Sequence, residues 1–561
     1  MNELSSPRFS PPPRLWEIKS ESCAIALPKD FKVFSAAVVI DASLHPEGYR
    51  IELLPGSFSI TAGGPRAIRY AWQHFQQWTA ASEIPCGRLE DSPDMERRGF
   101  MLDISRCKVP TRESLASWVK LLSGFRYNEF QLYTEHTFAY KDHETVWKDA
   151  SPMEADDVLW LQSLCKEYDI ELVPNQNCFG HFERWMKHDA YKKYAECPNG
   201  FVNPWGEVKK EGSVLIPDQA SLDLVKGLLD EILPLFESPW ANIGCDETFE
   251  LGQGASKARC EAEGGGKVYT DFVREIMEYV KEKHGKQCQF WGDVIIKTPE
   301  QLQNLPSDAM AMEWGYEADH PFMEDSTRFA ASGLDFMICP GTCSWRTFGG
   351  RTENMLQHIR KASLAGRKNG AKGLLLTDWG DRGHMQQSPV SYSALAWCGL
   401  NAWNTEQARE EDIEDWCDTV AFDGNKGDTA CWMNAGRMHD LLERKSVNCT
   451  AIFNLFEDPE NVSKEVSVEN VRKTLQAIEK MPAPKTYTQE WEQTLRNMRL
   501  SLQTTLKIKG ESPSPHLPEM LEAARNGQKE LWLQRNRKGG LAESLEMYTE
   551  MATIINDGED L

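Results

Sequence analysis

Two adjacent acids end a short apolar run near the middle of the chain. The segment Trp240-Ala-Asn-Ile-Gly-Cys-Asp-Glu247 closes with Asp246 and Glu247, and a loop-like sequence follows. Consecutive side chains of a β-strand point to opposite faces, so the two carboxylates can converge only where the strand ends. Barrel and open α/β folds place their chemistry at that C-terminal edge. The pair is therefore a candidate for acid–base work, and a solvated acidic loop is the alternative.

Acids and aromatic residues also end the neighbouring apolar runs. Sugars present flat apolar faces and hydroxyl edges, so tryptophans beside carboxylates are typical of a sugar site. Glycoside cleavage needs an acid for the leaving oxygen and a second group for the positive centre. The polar and aromatic residues at the predicted strand ends are Asp103, Arg106, Thr134, Glu135, His136, Asn175, Asn177, His181, Trp291, Asp293, Trp314, Tyr316, Trp345, Asp378, Trp379 and Asp381.

The elements that must position these residues are βα units. Short apolar runs alternate with helix-patterned segments, which is typical of a parallel sheet. Eight such units predict a (β/α)₈ TIM barrel, an α/β fold, over 96–405. The predicted strands are 99–103, 129–133, 170–174, 240–245, 287–291, 310–314, 335–339 and 373–377.

Two smaller regions flank the predicted barrel. Residues 1–95 indicate a small N-terminal α/β domain, and residues 406–561 a C-terminal helical region. The N-terminal domain has strand-like runs at 14–18, 36–40, 49–53 and 57–62, a helix at 65–78, and a linker with Pro85, Gly87 and Pro93. The C-terminal helices are expected at 410–422, 429–443, 466–480, 487–509 and 517–556.

The composition excludes several classes of partner. The 561 residues carry a formal net charge of -23, which disfavours nucleic acid and anionic membranes. The 15 cysteines show no metal-ligand pairs, and His136 and His181 lack a spaced third ligand, so neither metal nor cofactor is predicted. No signal peptide is visible in Met1–Pro7, so a cytoplasmic location is expected, or a periplasmic or secreted one if a leader was removed. The oligomeric state is not indicated.

Five motifs in chain order resemble glycoside hydrolase family 20, the β-N-acetylhexosaminidase type. They are Arg98-Gly-Phe-Met-Leu-Asp-Ile-Ser-Arg106, Asn128-Glu-Phe-Gln-Leu-Tyr-Thr-Glu135, the segment from Pro174 to His181, Asn242-Ile-Gly-Cys-Asp-Glu247 and Thr377-Asp-Trp-Gly-Asp381. Residues 49–78 also resemble the small domain that precedes the barrel in that family. The resemblance covers about residues 40–400 and leaves out the C-terminal helices.

The resemblance implies substrate-assisted catalysis, in which the substrate's own acetamido oxygen attacks the anomeric carbon. Glu247 would be the general acid and then the base, and Asp246 would orient the acetamido group. Arg98 would hold sugar hydroxyls, with Asp381 at the other edge of the ring. Trp291, Trp314 and Trp379 would wall the sugar and acetamido faces.

Other rim residues keep two interpretations each. His181 either orients the acid pair or carries a proton, and Arg98 could instead pair with an acid below the barrel. Glu135 and Asp293 are substrate-binding candidates that could be ion-paired. The tryptophans, Trp345 among them, could be packing residues.

Three departures from the family pattern concern the sugar pocket. The family's Trp-x-Glu is Trp379-Gly-Asp381 here, and Asn242 and Cys245 replace the usual His and Gly. The tyrosine expected after the seventh strand is replaced by Cys343-Ser-Trp345, and Tyr316 could substitute for it from the sixth strand.

The predicted function is an exo-acting retaining β-N-acetylhexosaminidase that removes terminal GlcNAc or GalNAc from glycans. One alternative is a two-carboxylate β-glycosidase that acts on unacetylated sugars and pairs Glu247 with Glu135 or Glu313. Another is a carbohydrate-binding protein without activity. The glycan linkage and the choice between gluco and galacto sugars are left open.

Overall fold

The computed structural model describes residues 9–24, 26–80, 83–106 and 108–556. The segment Met1–Pro7, considered above for a signal peptide, lies outside these ranges. Within them the chain forms an N-terminal sheet, a closed barrel and a C-terminal helical region. Among the helices described there, none is long and apolar enough to cross a membrane.

The N-terminal unit is a five-stranded sheet in the order β1-β5-β3-β4-β2, with two helices. Its elements are β1 (Leu15–Ser22), α1 (Phe31–Ala36), β2 (Val38–Ile40), β3 (Tyr49–Leu54), β4 (Ser57–Ala62), α2 (Pro65–Thr79) and β5 (Pro85–Asp91). Helix α2 begins with Pro65 after Gly64 and buries Tyr70, Phe75 and Trp78.

Strand β5 corrects the linker predicted around Pro85 and Gly87. Pro85 is tolerated because it is the first residue of the strand. Gly87 is needed because an added Cβ would lie 2.3 Å from the backbone oxygen of Glu17 on β1. Both residues are typical of turns, so their local pattern conceals a strand that pairs with β1 and β3.

All eight predicted barrel strands are present and parallel, in a closed barrel. They are β6 (Arg97–Asp103), β7 (Glu129–Thr134), β8 (Glu171–Gln176), β11 (Trp240–Asn242), β12 (Gln287–Trp291), β13 (Met310–Trp314), β14 (Asp335–Cys339) and β15 (Gly373–Asp378). A small hairpin of β9 (Phe201–Val202) and β10 (Val208–Lys209) follows β8. Strand β11 is three residues long, which is shorter than the predicted run.

The barrel interior is packed with sulfur-containing and aromatic side chains. Met101, Met312, Met337 and Leu375 form its core, and Tyr133, Trp291, Trp345 and Trp379 lie in the same cluster. Alternate strand residues face the surrounding helices instead. The aromatic members of the cluster are those near the carboxyl ends of their strands.

The helices between and after the strands cover the barrel. They are α3 (Arg112–Gly124), α4 (Glu144–Trp147), α5 (Ala155–Glu167), α6 (Glu183–Met186), α7 (Gln219–Ile232), α8 (Lys257–Glu263), α9 (Gly265–His284), α10 (Phe322–Ser332), α11 (Thr352–Asn369) and α12 (Tyr392–Trp403).

The C-terminal region is helical, as predicted, but more finely divided. Its helices are α13 (Glu411–Ala421), α14 (Asp428–Ala435), α15 (Ala451–Glu457), α16 (Pro459–Val462), α17 (Val468–Glu479), α18 (Thr488–Ile508), α19 (Leu517–Arg535), α20 (Leu541–Glu546) and α21 (Thr549–Asn556). The single helix predicted over 517–556 is instead divided into α19, α20 and α21. Helix α19 ends at Arg535, and Gly540, with a φ of 74°, directly precedes α20. Ion pairs such as Arg346–Glu457 join this region to loops of the barrel.

Candidate active site

The acid pair lies in a turn rather than in a strand. After β11 ends at Asn242, the backbone takes positive φ angles at Gly244 (66°), Cys245 (72°) and Glu247 (50°). A Cβ on Gly244 would lie 2.6 Å from Cγ of Asn177, so this close approach requires glycine. The left-handed turn removes the strand alternation, and Asp246 and Glu247 both line one pocket.

The pocket lies at the carboxyl ends of the barrel strands and has a volume of about 480 Å³, including its open mouth. Of the predicted substrate and catalytic residues, nine line it. The lining residues are Arg106, His181, Asp246, Glu247, Trp291, Trp314, Tyr316, Trp345, Trp379, Asp381 and Asn448.

Asp246 is a buried carboxylate held by two partners from the β8 loop. Asn177 Nδ2 donates a hydrogen bond to Oδ1 at 2.7 Å, and His181 Nε2 lies 3.2 Å from Oδ2. Burial disfavours the charged form, but the charge and hydrogen bond of His181 outweigh it and lower the pKa of Asp246. Burial also disfavours the imidazolium form of His181, but the charge of Asp246 outweighs burial and raises the pKa of His181 well above its usual value. Asp246 is therefore an anion beside an imidazolium.

Glu247 occupies the opposite kind of environment. Burial, with the nearby charges of Asp246 and Asp293, raises its pKa to about 7 although His181 favours the anion. Its backbone N–H donates to Asp293 Oδ2 at 3.2 Å, which fixes the turn from β12. The side chain keeps about 30% of its surface exposed, against 9% for Asp246. Glu247 is the acid that faces the mouth and can hold a proton near neutral pH.

Arg106, which lines the pocket, joins three carboxylates. Its guanidinium lies 3.3 Å from Asp103, 3.2 Å from Glu135 and 3.4 Å from Asp381. It also lies over the rings of Tyr133 and Trp379. Burial raises the pKa of Glu135 to about 7 despite the charge of Arg106. Glu135 and Asp293 lie behind the pocket lining and contact residues that form it.

The aromatic walls are linked by defined contacts. Trp379 Nε1 donates a hydrogen bond to the Tyr316 hydroxyl at 2.8 Å, and the rings of Trp314 and Tyr316 stack at 5.1 Å. Trp345 meets Tyr316 edge-on and donates its Nε1 hydrogen to Asn448 Oδ1 at 2.9 Å. These rings bring the ends of β13, β14 and β15 to one surface of the pocket.

Arg98 does not belong to the pocket, and its predicted contact with sugar hydroxyls is corrected. It is the second residue of β6, at the opposite end of the strand from Asp103, and is 1% exposed. Its Nη1 pairs with Glu47 of the N-terminal unit at 2.6 Å, and its Nη2 donates to the Tyr70 hydroxyl. The pairing below the barrel that the sequence left as an alternative is the one observed.

Arg106 and Asn448 are pocket residues that were not among the predicted substrate contacts. The sequence could have predicted Arg106 as a pocket residue, because it lies just after the predicted first strand. The sequence could not have predicted Asn448, which lies in the C-terminal region before α15. It reaches the pocket only because that region packs against the barrel.

Among the residues that the structure describes, two groups of side chains have the spacing of metal ligands. One is His181, Asp246 and Glu247, and the other is Glu313, His320 and Asp325, outside the pocket. A histidine binds a metal ion through its neutral imidazole. His181 is held as a cation by Asp246, so the first group is suited to proton chemistry.

Comparison with known proteins agrees with this geometry. The sequence profile of the family described as "Glycosyl hydrolase family 20, catalytic domain" matches residues 96–365. The matched region of the chain is a glycoside hydrolase family 20 catalytic domain. It is thus a glycoside hydrolase with the TIM barrel of that family, and the profile ends before β15 and its Trp379 and Asp381.

Curated relatives of this family 20 enzyme include two proteins of different size. Hexosaminidase D of Bos taurus is 24% identical over 289 residues, covering 47% of this chain and 80% of that protein. Lacto-N-biosidase of Bifidobacterium bifidum is 24% identical over 272 residues, covering 46% of this chain and 23% of that protein. The chain thus spans about a quarter of the second relative's length.

Solved structures show the same fold. A β-N-acetylhexosaminidase from Bacteroides fragilis superposes with a TM-score of 0.56 at 18% identity, covering 74% of this chain and 95% of that one. An exo-β-N-acetylglucosaminidase from Vibrio harveyi, in complex with N-acetylglucosamine, superposes with a TM-score of 0.57 at 16% identity, covering 74% and 75%.

Proposed function

We propose that this enzyme is an exo-acting, retaining β-N-acetylhexosaminidase that removes terminal GlcNAc or GalNAc by substrate-assisted catalysis. The observation that carries the proposal is the divergence of two adjacent carboxylates in one pocket. Asp246 has a lowered pKa and stays ionised, whereas the pKa of Glu247 is raised to about 7. Neighbouring carboxylates with separated pKa values are the arrangement that divides an acid from a charge-stabilising partner.

The first step uses both residues. Glu247 gives its proton to the glycosidic oxygen as the bond to the anomeric carbon breaks, and the substrate's acetamido oxygen attacks that carbon. Asp246 accepts a hydrogen bond from the acetamido N–H and stabilises the positive charge of the resulting oxazolinium ion. In the second step ionised Glu247 takes a proton from water, and the water oxygen attacks the anomeric carbon. This attack opens the oxazolinium ring and gives a product with the anomeric configuration of the substrate.

His181 is a positioning residue in this scheme. Its imidazolium keeps Asp246 ionised and lies 3.5 Å from Glu247 Oε2, so it also stabilises Glu247 after proton transfer. Of the two roles that the sequence left open, this scheme adopts the orienting one, because the proton stays on His181.

The aromatic walls form the acetamido pocket. Tyr316 accepts a hydrogen bond from Trp379, so its own hydroxyl proton can be donated to the acetamido oxygen. Tyr316 thereby takes the place of the family tyrosine absent after the seventh strand. Trp291, Trp314 and Trp379 pack against the acetamido group and the sugar ring.

The sugar hydroxyls are held on the opposite side. Arg106 and Asp381 form an ion pair at 3.4 Å that presents N–H donors and carboxylate acceptors to the pocket. Asn448 adds an amide from the C-terminal region next to Trp345. A wall closed in this way favours a terminal sugar.

The two-carboxylate alternative is not supported by the positions of its second acids. Glu135 lies behind the pocket lining, where it contacts Arg106 and Tyr133. Glu313 alternates along β13 with the interior residue Met312 and contacts His320 at 2.8 Å, so it faces away from the barrel interior. The absence of Glu135 and Glu313 from the pocket lining favours the substrate's own amide as the nucleophile.

The test is hydrolysis of nitrophenyl β-glycosides of GlcNAc, GalNAc, glucose and galactose. We expect release only from the N-acetylated sugars and inhibition by a thiazoline analogue of the oxazolinium ion. Activity confined to glucose or galactose would contradict the substrate-assisted scheme, and binding without turnover of any of the four would favour a carbohydrate-binding protein.

A further inference from the structure

The hairpin after β8 exposes a large apolar surface that the proposed chemistry does not use. Trp205, at its tip, is 68% exposed, and Val202 and Val208 on its two strands are 55% and 77% exposed. Most tryptophans of this chain that the structure describes are buried or half-buried. Exposed apolar side chains grouped in this way mark a binding surface.

The turn that carries Trp205 is rigid. Asn203 Oδ1 accepts hydrogen bonds from the backbone N–H groups of Trp205 (3.1 Å) and Glu207 (2.8 Å). Gly206 closes the turn with a φ of 84° and donates its N–H to the Asn203 carbonyl oxygen. These hydrogen bonds order the backbone of the turn, so binding there would cost little backbone ordering.

The hairpin reaches two opposite sides of the pocket mouth. On one side Trp205 meets Phe249 edge-on at 5.2 Å, and the N–H of Phe249 donates to the carbonyl oxygen of Glu247. On the other side Glu207 lies 3.8 Å from Arg382, which follows the pocket residue Asp381. Their loops follow β11 and β15, which are four strands apart in the eight-stranded barrel and so face each other across it.

We propose that Trp205 is the platform for the leaving group, meaning the sugar to which the terminal amino sugar is attached. This inference rests on the proposed function. Glu247 delivers its proton to the glycosidic oxygen from the exposed side of the acid pair, so the leaving sugar must lie beyond Glu247, toward Phe249 and Trp205. The C–H face of a pyranose is the ligand that fits an exposed indole, and its hydroxyls can reach Glu207 and Arg382.

The experiment compares two leaving groups of different reach. Wild type and Trp205→Ala are assayed on β-linked GlcNAc and GalNAc disaccharides and on the methyl β-glycosides of the same sugars, whose methanol leaving group is too small to touch Trp205. We expect Trp205→Ala to lower kcat/KM on the disaccharides by about 10-fold, the size of one aromatic stacking contact. The methyl glycosides should change by less than about 2-fold.

Two variants serve as controls. Trp205→Phe keeps a flat ring and should retain most of the activity on disaccharides. Val208→Ala removes an equally exposed apolar side chain from the same hairpin and should change neither substrate class. Thermal unfolding of all three should match the wild type, because the altered side chains are exposed.

The outcomes separate the two proposals. An equal loss on methyl glycosides and disaccharides, or no loss on either, would overturn the leaving-group platform while leaving the proposed function intact. Absence of turnover of every N-acetylated substrate by the wild type would overturn the proposed function and this inference with it.

Discussion

The first barrel strand has an arginine near each end, Arg98 buried and Arg106 half-buried, and the two lie in opposite kinds of charge cluster. At the amino end Arg98 pairs with Glu47, which also pairs with Arg66. Burial alone would raise the pKa of Glu47, but the two arginines outweigh it and hold the pKa at about 2. The one carboxylate of this small cluster therefore has two arginine partners.

At the carboxyl end a single arginine serves several acids. Arg106 contacts Asp103, Glu135 and Asp381, and the acid pair lies across the pocket. Burial prevails there, so Glu135 and Glu247 both have pKa values of about 7. Paired charge at one end favours stability. Under the proposed function, the acid with the raised pKa at the other end supplies the proton donor, in line with the usual division of a TIM barrel.

The largest expected effect is that of Glu247→Gln. The amide keeps the shape of the side chain but has no acidic proton, so kcat/KM on alkyl and sugar leaving groups should fall by about 10³-fold. Nitrophenyl glycosides need little protonation and should lose less. Thermal unfolding should be unchanged because Glu247 is partly exposed. A variant with more than a tenth of wild-type activity on disaccharides would contradict the proton-donor role.

Asp246→Asn should lower kcat by about 10²-fold on every leaving group, because it removes the charge that stabilises the oxazolinium ion. The equal loss on aryl and sugar leaving groups distinguishes this variant from Glu247→Gln. The His181 pKa, measured by NMR, should also fall, since Asp246 is what raises it. An unchanged kcat would remove the acetamido-orienting role.

The arginine pair tests the comparison directly. Arg106→Met should lower kcat/KM by about 10²-fold through lost hydroxyl and carboxylate contacts. Arg98→Met should instead cost about 3 kcal/mol of unfolding free energy, because buried Glu47 loses its buried partner and keeps only Arg66 as an ion pair. The folded Arg98→Met protein should keep its kcat/KM within about 3-fold.

A matched control for the lower cluster is the double variant Arg98→Met/Glu47→Gln. It also removes the negative charge of Glu47, so part of the free energy of unfolding lost in Arg98→Met should be recovered in urea unfolding. If Arg98→Met instead lowered kcat/KM without loss of stability, the result would contradict the assignment of Arg98 to stability and of Arg106 to the active site.

The smallest effects are those of pH. Glu247 has a raised pKa, so its protonated, active form is lost as pH rises through about 7, and kcat/KM should fall on that side. Glu47 has a depressed pKa, so its contribution to stability is complete above its ordinary value of 4.5 and is lost as pH falls toward about 2. Rate profiles and unfolding curves across pH should show these two limits separately.

Local patterns were sufficient for the barrel and for the acid pair. The apolar runs at 287–291, 310–314 and 335–339 coincide with β12, β13 and β14. Each is a buried strand, whose continuous apolar composition is a local property. The same logic placed Asp246 and Glu247 at a strand end. It failed at β5, where Pro85 and Gly87 are explained only by contact with a distant strand.

Residue types and order along the chain thus determined the eight-stranded barrel, the acid pair and the family. Only the tertiary structure decided that Arg106, not Arg98, enters the pocket, that Asn448 closes its wall and that Trp205 stands at its mouth. The physical reason is that burial and charge compensation depend on neighbours far apart in sequence. Arg98 finds Glu47 and Trp345 finds Asn448 only when separate regions pack together.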